Sequence, residues 1–449
     1  MNKNKTLFYS EKKIKNIVLE ILEIYKNKIE YIDLYVVKND YINVLVRNKH
    51  TEIVEFNKDN KVNITIYNKN KKSSIYTTNL NIKEIKKNIN YAIKNLRYVN
   101  CDKYNNIFKR KNNKLKNNKF KFCHSKIIKE NEAIKIAYNT EQYAYEYNKK
   151  IFNSEGSNFS KNISNIIFGN NYGNIMSYST SHYFLMSSVI SKCKDKIYNG
   201  IDYSCSAKFN KLKTPKIVGR NSAKKAIHKI SSQKILTNKL PVIFSNEVSY
   251  SLFENLSEAI LGENVCKKST FLLNFLNKKI FPDWLNIFED PHLKYGLCSH
   301  AFDSEGTFTY QKYIIKNGFL RTWILNNYCA NKLNLKTTGN SIGTYNWRVF
   351  SKKDKVINFN ELLKKMNTGI LVNELIGDGV NIINGDYSIG VSGFFVENGM
   401  LKYPIHEITI SNNLKDMFLN IVDFSDDFNK INKISCPSLL LENMNISGK

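Results

Sequence analysis

A chain of 449 residues with 42% hydrophobic and 24% charged residues is long enough for two or three domains and has the composition of a folded protein, which excludes a mini-protein or wholesale disorder. Lys and Arg number 68 against 39 Asp and Glu, a net charge of +29, but Asn, Ile, Tyr and Phe, encoded like Lys by AT-rich codons, are abundant too. Lys also outnumbers Arg, the better two-pronged phosphate ligand, so the charge alone names no partner.

In chain order, Ile14, Ile17, Val18, Ile21, Leu22, Ile24 and Tyr25 recur at helical spacing and predict an amphipathic helix over 14–29. Runs of β-branched and aromatic residues at 32–37, 41–47, 52–56, 62–67 and 73–78, separated by Asn, Asp and Lys, predict five strands. A helix over 82–96 completes an N-terminal α+β domain, 1–99. Residues 100–125, rich in Lys and Asn, read as a solvated linker. A central α+β domain, 126–236, follows: a helix over 130–147, strands between 151 and 192 around turns at Ser154-Glu155-Gly156 and at 170–173, and a helix over 222–235.

The C-terminal domain, 237–449, opens with a strand at 241–244 and a helical stretch at 247–261. Asn317-Gly318 and Asn398-Gly399, each between apolar runs, predict type I′ hairpins because both turn positions need positive φ. Glycines 377, 379, 385, 390 and 393 crowd the same region and predict close backbone approach. The fold class is therefore α+β, with an N-terminal helix-and-antiparallel-sheet region and a β-rich, barrel- or sandwich-like C-terminal domain. Eight cysteines without a CxxC pair read as reduced thiols, and no apolar run has the length of a secretory signal or membrane span. A cytoplasmic protein without a membrane partner is the expectation.

A common zinc peptidase presents two histidines one helical turn apart, with a Glu beside the first to deprotonate metal-bound water. Here the His-Glu dipeptide is His406-Glu407, in an alternating strand pattern with Thr409 and Ser411 where a second ligand would stand. Neither GxSxG nor GxxxxGK[ST] occurs, and Gly377-Asp378-Gly379 lacks the third glycine of a dinucleotide fingerprint. The densest group of possible ligands is Glu289, Asp290, His292, Cys298, His300, Asp303 and Glu305. It fits no standard zinc spacing, yet it leaves an autonomous metalloenzyme built on His292 to Glu305 as one alternative, against a role in capping turns. A nucleic-acid-binding or regulatory protein driven by the basic charge is another, without an RRM, KH or zinc-finger signature behind it.

Segments over nearly the whole chain resemble the TldE/PmbA proteins, the partner branch of the TldD/TldE metallopeptidases. They run in one order: VEFNKDNKVNITIYNKNKKSSIYTT, NSEGSNFS, FGNNYGNIMSYSTSHY, PVIFSNEVSYSLFENLSEAILGENVCKKSTFLL, FPDWL, DPHL, FDSEGTFT, KLNLKTTGN, NWRV, ELIGDGVNIINGDYSIGVSGFFVENG, YPIHEITISNNLKDMFLNIV and SCPSLLLENMNISG. Residues 100–125 match poorly. The resemblance implies a hydrolase active as a heterodimer with a TldD-like subunit, degrading unfolded or modified peptides in an enclosed chamber.

TldD-like chains carry HExxxH after the first C-terminal strand and a distant cysteine. The equivalent stretch here is Asn246-Glu247-Val248-Ser249-Tyr250-Ser251, with Asn246 and Ser251 where the two zinc histidines would be and Cys436 at the cysteine position. An amide and a hydroxyl are weak zinc donors, so Glu247 and Cys436 fall short of three ligands plus water. The implied expectation is that this chain binds no cofactor, that zinc resides in the TldD-like partner, and that Glu247 is either a catalytic remnant or a carboxylate at a helix start. The glycine-rich segment 377–393 would offer backbone to an extended peptide.

Overall fold

The computed structural model describes residues 10–106, 120–353, 356–429 and 431–448. Helix α1 (Glu11–Tyr25) starts where the Ser10 side chain accepts from Lys13 N, and it buries the predicted apolar stripe. The five expected short strands are three long ones: β1 (Tyr31–Arg47), β2 (His50–Asn68) and β3 (Lys71–Thr77). The polar clusters taken for turns are cross-strand partners, Lys38 facing Asn60, Asn39 facing Asp59 and Asp40 facing Lys58. Asn39 Nδ2 donates to Asp59 Oδ1 at 2.8 Å, so these residues satisfy one another within the sheet instead of ending it.

Strands β4 (Ile151–Asn170), β5 (Ile175–Cys193) and β6 (Lys196–Ser206) extend the same antiparallel sheet in the order β3-β2-β1-β4-β5-β6. The pairing of β1 with β4 joins residues from before and after segment 100–125 in one sheet. The turn at 170–173 forms, whereas β4 runs on through Ser154-Glu155-Gly156 as a bulge, with Gly156 at φ +118°. At one end the sheet is covered by α1 and α2 (Ile82–Asn95), with Val18, Ile21, Ile85 and Ile89 packed on Val36 and Ile64. At the other end α3 (Glu130–Tyr145) and α4 (Pro215–Ile230) pack against Ile42, Val44 and Phe159. Helix α4 begins seven residues earlier than 222 because Thr214 caps it, accepting from Ile217 N, and Pro215 fills its first turn.

The C-terminal half contains a closed barrel. Strand β7 (Asn238–Phe244) pairs in parallel with β8 (Gly369–Ile376), which pairs with β9 (Asp386–Glu397), then β10 (Met400–Asn413), then β11 (Leu439–Ser447), which returns to β7. Val242, Phe244, Val372, Val391, Ile410 and Leu441 fill it together with Leu252 and Phe253 of helix α5 (Tyr250–Ala259). Both predicted Asn-Gly turns form, with φ of 52° and 79° at Asn317-Gly318 and 52° and 70° at Asn398-Gly399. The architecture is α+β, as expected.

Residues 107–119 of the expected linker lie outside the described residues. Its described ends are docked on the C-terminal half. Tyr328 Oη donates to Asp102 Oδ2 at 3.0 Å, and Asn331 Nδ2 donates to Tyr104 O and Asn106 O at 2.9 and 2.7 Å. Phe122 is buried against Tyr178 and Phe302. The described ends of the segment are thus held by hydrogen bonds to Tyr328 and Asn331 and by the burial of Phe122, contacts that its Lys- and Asn-rich composition does not signal.

Candidate functional site

Strand β7 leaves the barrel at Phe244, paired with Val372, and the chain turns through Ser245–Ser249 before α5 begins at Tyr250. The helix expected from 247 starts three residues later because Val248 and Ser249 N–H both bond back to Ser245 O, at 3.0 and 2.8 Å. This turn carries Asn246 and Glu247. Asn246 N donates to Ser438 Oγ (2.8 Å), Asn246 Nδ2 donates to Asp427 O (2.6 Å), and Asn429 Nδ2 donates to Asn246 O (3.1 Å). Asp427 in turn accepts from Ser438 N and Oγ at 2.8 and 2.7 Å, and from Ser425 Oγ. Asn246 is therefore bound into the 425–438 loop, while Ser251 Oγ donates to Val248 O at 2.7 Å. Cys436 is 1% exposed, burial pushes its thiol well up from the ordinary range, and Sγ donates to Pro437 O at 3.3 Å.

Glu247 points the other way, to α4. Its Oε2 lies 2.7 Å from Lys225 Nζ, and the same ammonium lies 3.2 Å from Oδ1 of Asp202 on β6, a carboxylate only 3% exposed. Lys213 Nζ and Asn221 Nδ2 reach the other Asp202 oxygen at 3.3 and 3.1 Å. Burial works against the Lys225 charge, but Glu247 first and then Asp202 outweigh it and hold its pKa above the ordinary lysine value. One helical turn on, Lys229 pairs with Glu374 Oε2 of β8 at 2.7 Å and donates to Asn199 O at 2.8 Å. Two lysines at i and i+4 on α4 thus face two glutamates of the barrel.

Between these pairs runs a cleft of about 720 Å³, lined by Lys225, Glu247, Asn373, Glu374 and Phe394 among others. Asn373 is the extra residue of a bulge in β8, between Val372 and Glu374. Gly393, across from Val372, is required because a Cβ there would lie 1.8 Å from Leu371 O. Near this end His406 Nδ1 and Ser392 Oγ are 2.5 Å apart, and burial followed by Lys229 lowers the histidine's pKa. His406 and Glu407 are in β10, where their side chains meet at 3.7 Å. Sequence reasoning singled out Glu247 but missed Lys225, Asp202, Glu374 and Asp427. The Lys225/Lys229 spacing, inside the helix expected over 222–235, was the available signal, but it does not reveal which acids the two lysines meet.

The segment from Glu289 to Glu305 is spread over separate structural tasks. Glu289, fully buried, meets Lys312 Nζ at 2.5 Å and accepts from Tyr345 N and Trp347 Nε1 at 2.9 and 3.0 Å. Asp290 caps its own turn through His292 N (2.9 Å), and His292 Nε2 contacts Thr309 Oγ1 (2.9 Å). Asp303 accepts from the N–H groups of Glu305, Thr307 and Ser341. Glu305 accepts from Asn327 N and Nδ2 at 2.9 and 2.7 Å, and burial, then Asp303, raise its pKa to about 7. Cys298 and His300 border a second cavity of about 570 Å³. Among the described residues no three His, Cys, Asp or Glu side chains gather as a metal-binding group, and no helix is long and apolar enough to cross a membrane.

Comparison with known proteins gives the chain its relatives. The PmbA/TldA metallopeptidase C-terminal domain matches residues 237–448 and the central domain of the same family matches 124–230. A protein from Buchnera aphidicola described as a metalloprotease PmbA homolog is 43% identical over 433 residues, 96% of each chain. The Escherichia coli metalloprotease PmbA is 39% identical, over 95% of this chain and 94% of its own. The crystal structure of TldE from Thermococcus kodakarensis superimposes with a TM-score of 0.81 at 17% identity, over 96% of this chain and all of the other. With two family domains over most of its length and relatives of this closeness, the chain belongs to the PmbA/TldD metallopeptidase family.

Proposed function

We propose that this chain is the TldE-like subunit of a cytoplasmic two-chain peptidase, in which a TldD-like partner carries zinc and this chain builds half of the chamber that holds unfolded or modified peptides. The observation that carries the reading is the ion pair between Glu247 and Lys225 at 2.7 Å. In the position where a hydrolase of this family would set a general base against metal-bound water, the carboxylate faces an ammonium instead. The neighbouring donors point the same way. Asn246 and Ser251 spend their N–H and O–H on backbone carbonyls, and the Cys436 thiol is buried and held protonated. These four side chains do not fit a zinc centre, which needs deprotonated or neutral donors converging from about 2.0–2.3 Å. What the chain offers a peptide is the cleft beside α4, where charged and apolar side chains stand next to the bulge of β8.

Reconstitution tests this. The purified chain, a TldD-like chain and a mixture of the two are each incubated with an unfolded model peptide. The reading expects cleavage by the mixture well above either chain alone. Full cleavage by this chain alone would defeat it.

A further inference from the structure

We propose that Cys266 and Cys329 are a redox pair, joined by a hydroperoxide in a disulfide that braces two neighbouring short helices and released again by thiols.

Helices α6 (Gly262–Lys267) and α7 (Asn327–Lys332) leave one point of backbone pairing. Leu261 and Ile324 form a parallel bridge, in which Ile324 N donates to Ile260 O at 3.0 Å and Gly262 N donates to Ile324 O at 2.8 Å. Counting the same five residues onward from Leu261 and from Ile324 gives Cys266 on α6 and Cys329 on α7. The two helices approach closely, since a Cβ on Gly262 would lie 2.8 Å from Cys329 Cβ. Cys266 Sγ lies 3.9 Å from Cys329 O, and its thiol also hydrogen-bonds to the Cys329 sulfur. Both cysteines are free thiols, Cys266 half-buried and Cys329 buried. Burial, then the adjacent Cys266, push the Cys329 thiol up to about 12, so Cys329 is not the sulfur that meets an oxidant first. The half-buried Cys266 is. Its sulfur attacks the O–O bond of hydrogen peroxide, giving a sulfenic acid and one water. The Cys329 sulfur then attacks the sulfenic sulfur: the S–S bond forms, the S–O bond breaks, and the departing hydroxide takes the Cys329 proton as a second water. Two thiols are oxidised and one peroxide is reduced. The new bond spans 63 positions of sequence, which removes freedom from the unfolded chain and ties α7 to α6. Helix α7 carries Tyr328 and Asn331, whose bonds to Asp102 and to the carbonyls of Tyr104 and Asn106 hold the start of the 100–125 segment, so oxidation stiffens the platform on which that segment docks.

The test treats the full-length wild-type chain with hydrogen peroxide, blocks the remaining thiols with N-ethylmaleimide and maps the peptides by mass spectrometry without reductant. The expected result is a loss of two of the eight free thiols per chain, with the peptides of Cys266 and Cys329 linked and the link removed by dithiothreitol. Hydrogen exchange over 327–332 is expected to slow in the oxidised chain. Cys266→Ser is expected to keep all of its remaining thiols free of that link, whereas Cys101→Ser, at an exposed position, is expected to form it as the wild type does. The proposal is overturned if all eight thiols stay free, if the disulfide joins any other pair or two chains, or if Cys266 is oxidised to its oxyacids without linking. A 266–329 link that leaves exchange over 327–332 unchanged overturns the brace. The decisive reading is made on the wild type, so it does not depend on whether a variant folds.

Discussion

Glu289 separates a structural from a metal-ligating account of the 289–305 segment, and its replacement by Gln is the sharpest way to do so. The carboxylate is fully buried and takes an ion pair from Lys312 at 2.5 Å, two hydrogen bonds from Tyr345 N and Trp347 Nε1, and contacts with Asn340 Nδ2 at 3.3–3.4 Å. Gln keeps the shape but removes the anion and leaves the Lys312 ammonium, 9% exposed, without its counter-charge. Breaking a buried pair from one side costs about 3–5 kcal/mol, because the remaining charge stays desolvated. Lys312→Met should cost a similar amount or less, since Glu289 keeps its neutral N–H donors. The double variant should lose clearly less than the sum of the two, the coupling expected of residues in contact. Urea unfolding followed by tryptophan fluorescence reports the effect through Trp347, which packs at this site. A Glu289→Gln chain within about 1 kcal/mol of the wild type, or one that keeps its stability while losing a bound metal, would refute the structural account.

Three further outcomes are expected. Gly219→Ala should lower the melting temperature, since its Cβ would lie 2.1 Å from Thr140 O where α3 and α4 touch, and such overpacking costs about 1–3 kcal/mol. Glu305 has its pKa raised from 4.5 to about 7, so the folded state holds a proton that the unfolded state releases. Its contribution to stability is complete below pH 4.5 and is lost as pH rises through 7. Melting curves between pH 4.5 and 7.5 should therefore fall less with pH in Glu305→Gln than in the wild type, and parallel curves would count against the assignment. Lys229→Ala should loosen α4 from β8, speeding hydrogen exchange in the second half of α4, with a stability loss on the order of 1 kcal/mol because Glu374 remains in reach of water.

How much of this was legible in the sequence depended on whether the signal was local. The amphipathic stripe of α1, the helix at 82–95 and both Asn-Gly hairpins were, because spacing and turn chemistry act within a few residues. The merging of strands at Asn39 and Asp40 was not, since those residues become acceptable in a strand only through their partners across the sheet. The joining of β1 to β4 and the return of β11 to β7 are likewise pairings at long range. At the site, the resemblance located Glu247, Asn246, Ser251 and Cys436. The lysine that answers Glu247 comes from another element, 22 positions earlier, and no spacing rule connects the two. For the 289–305 residues density in sequence left a cluster open as an alternative to turn capping, whereas the fold has Asp290 and Asp303 accept from N–H groups of their own turns and sends Glu289 and Glu305 to other partners.

The division of labour between two chains is tested most directly by counting zinc. Elemental analysis of the chain purified alone, of a TldD-like partner purified alone and of the pair isolated together measures which polypeptide holds the metal. The account predicts less than a tenth of an equivalent in this chain and about one equivalent per partner, unchanged when Glu247 is replaced by Gln. One equivalent of zinc in the lone chain, lost with Glu247 or Cys436, would contradict it.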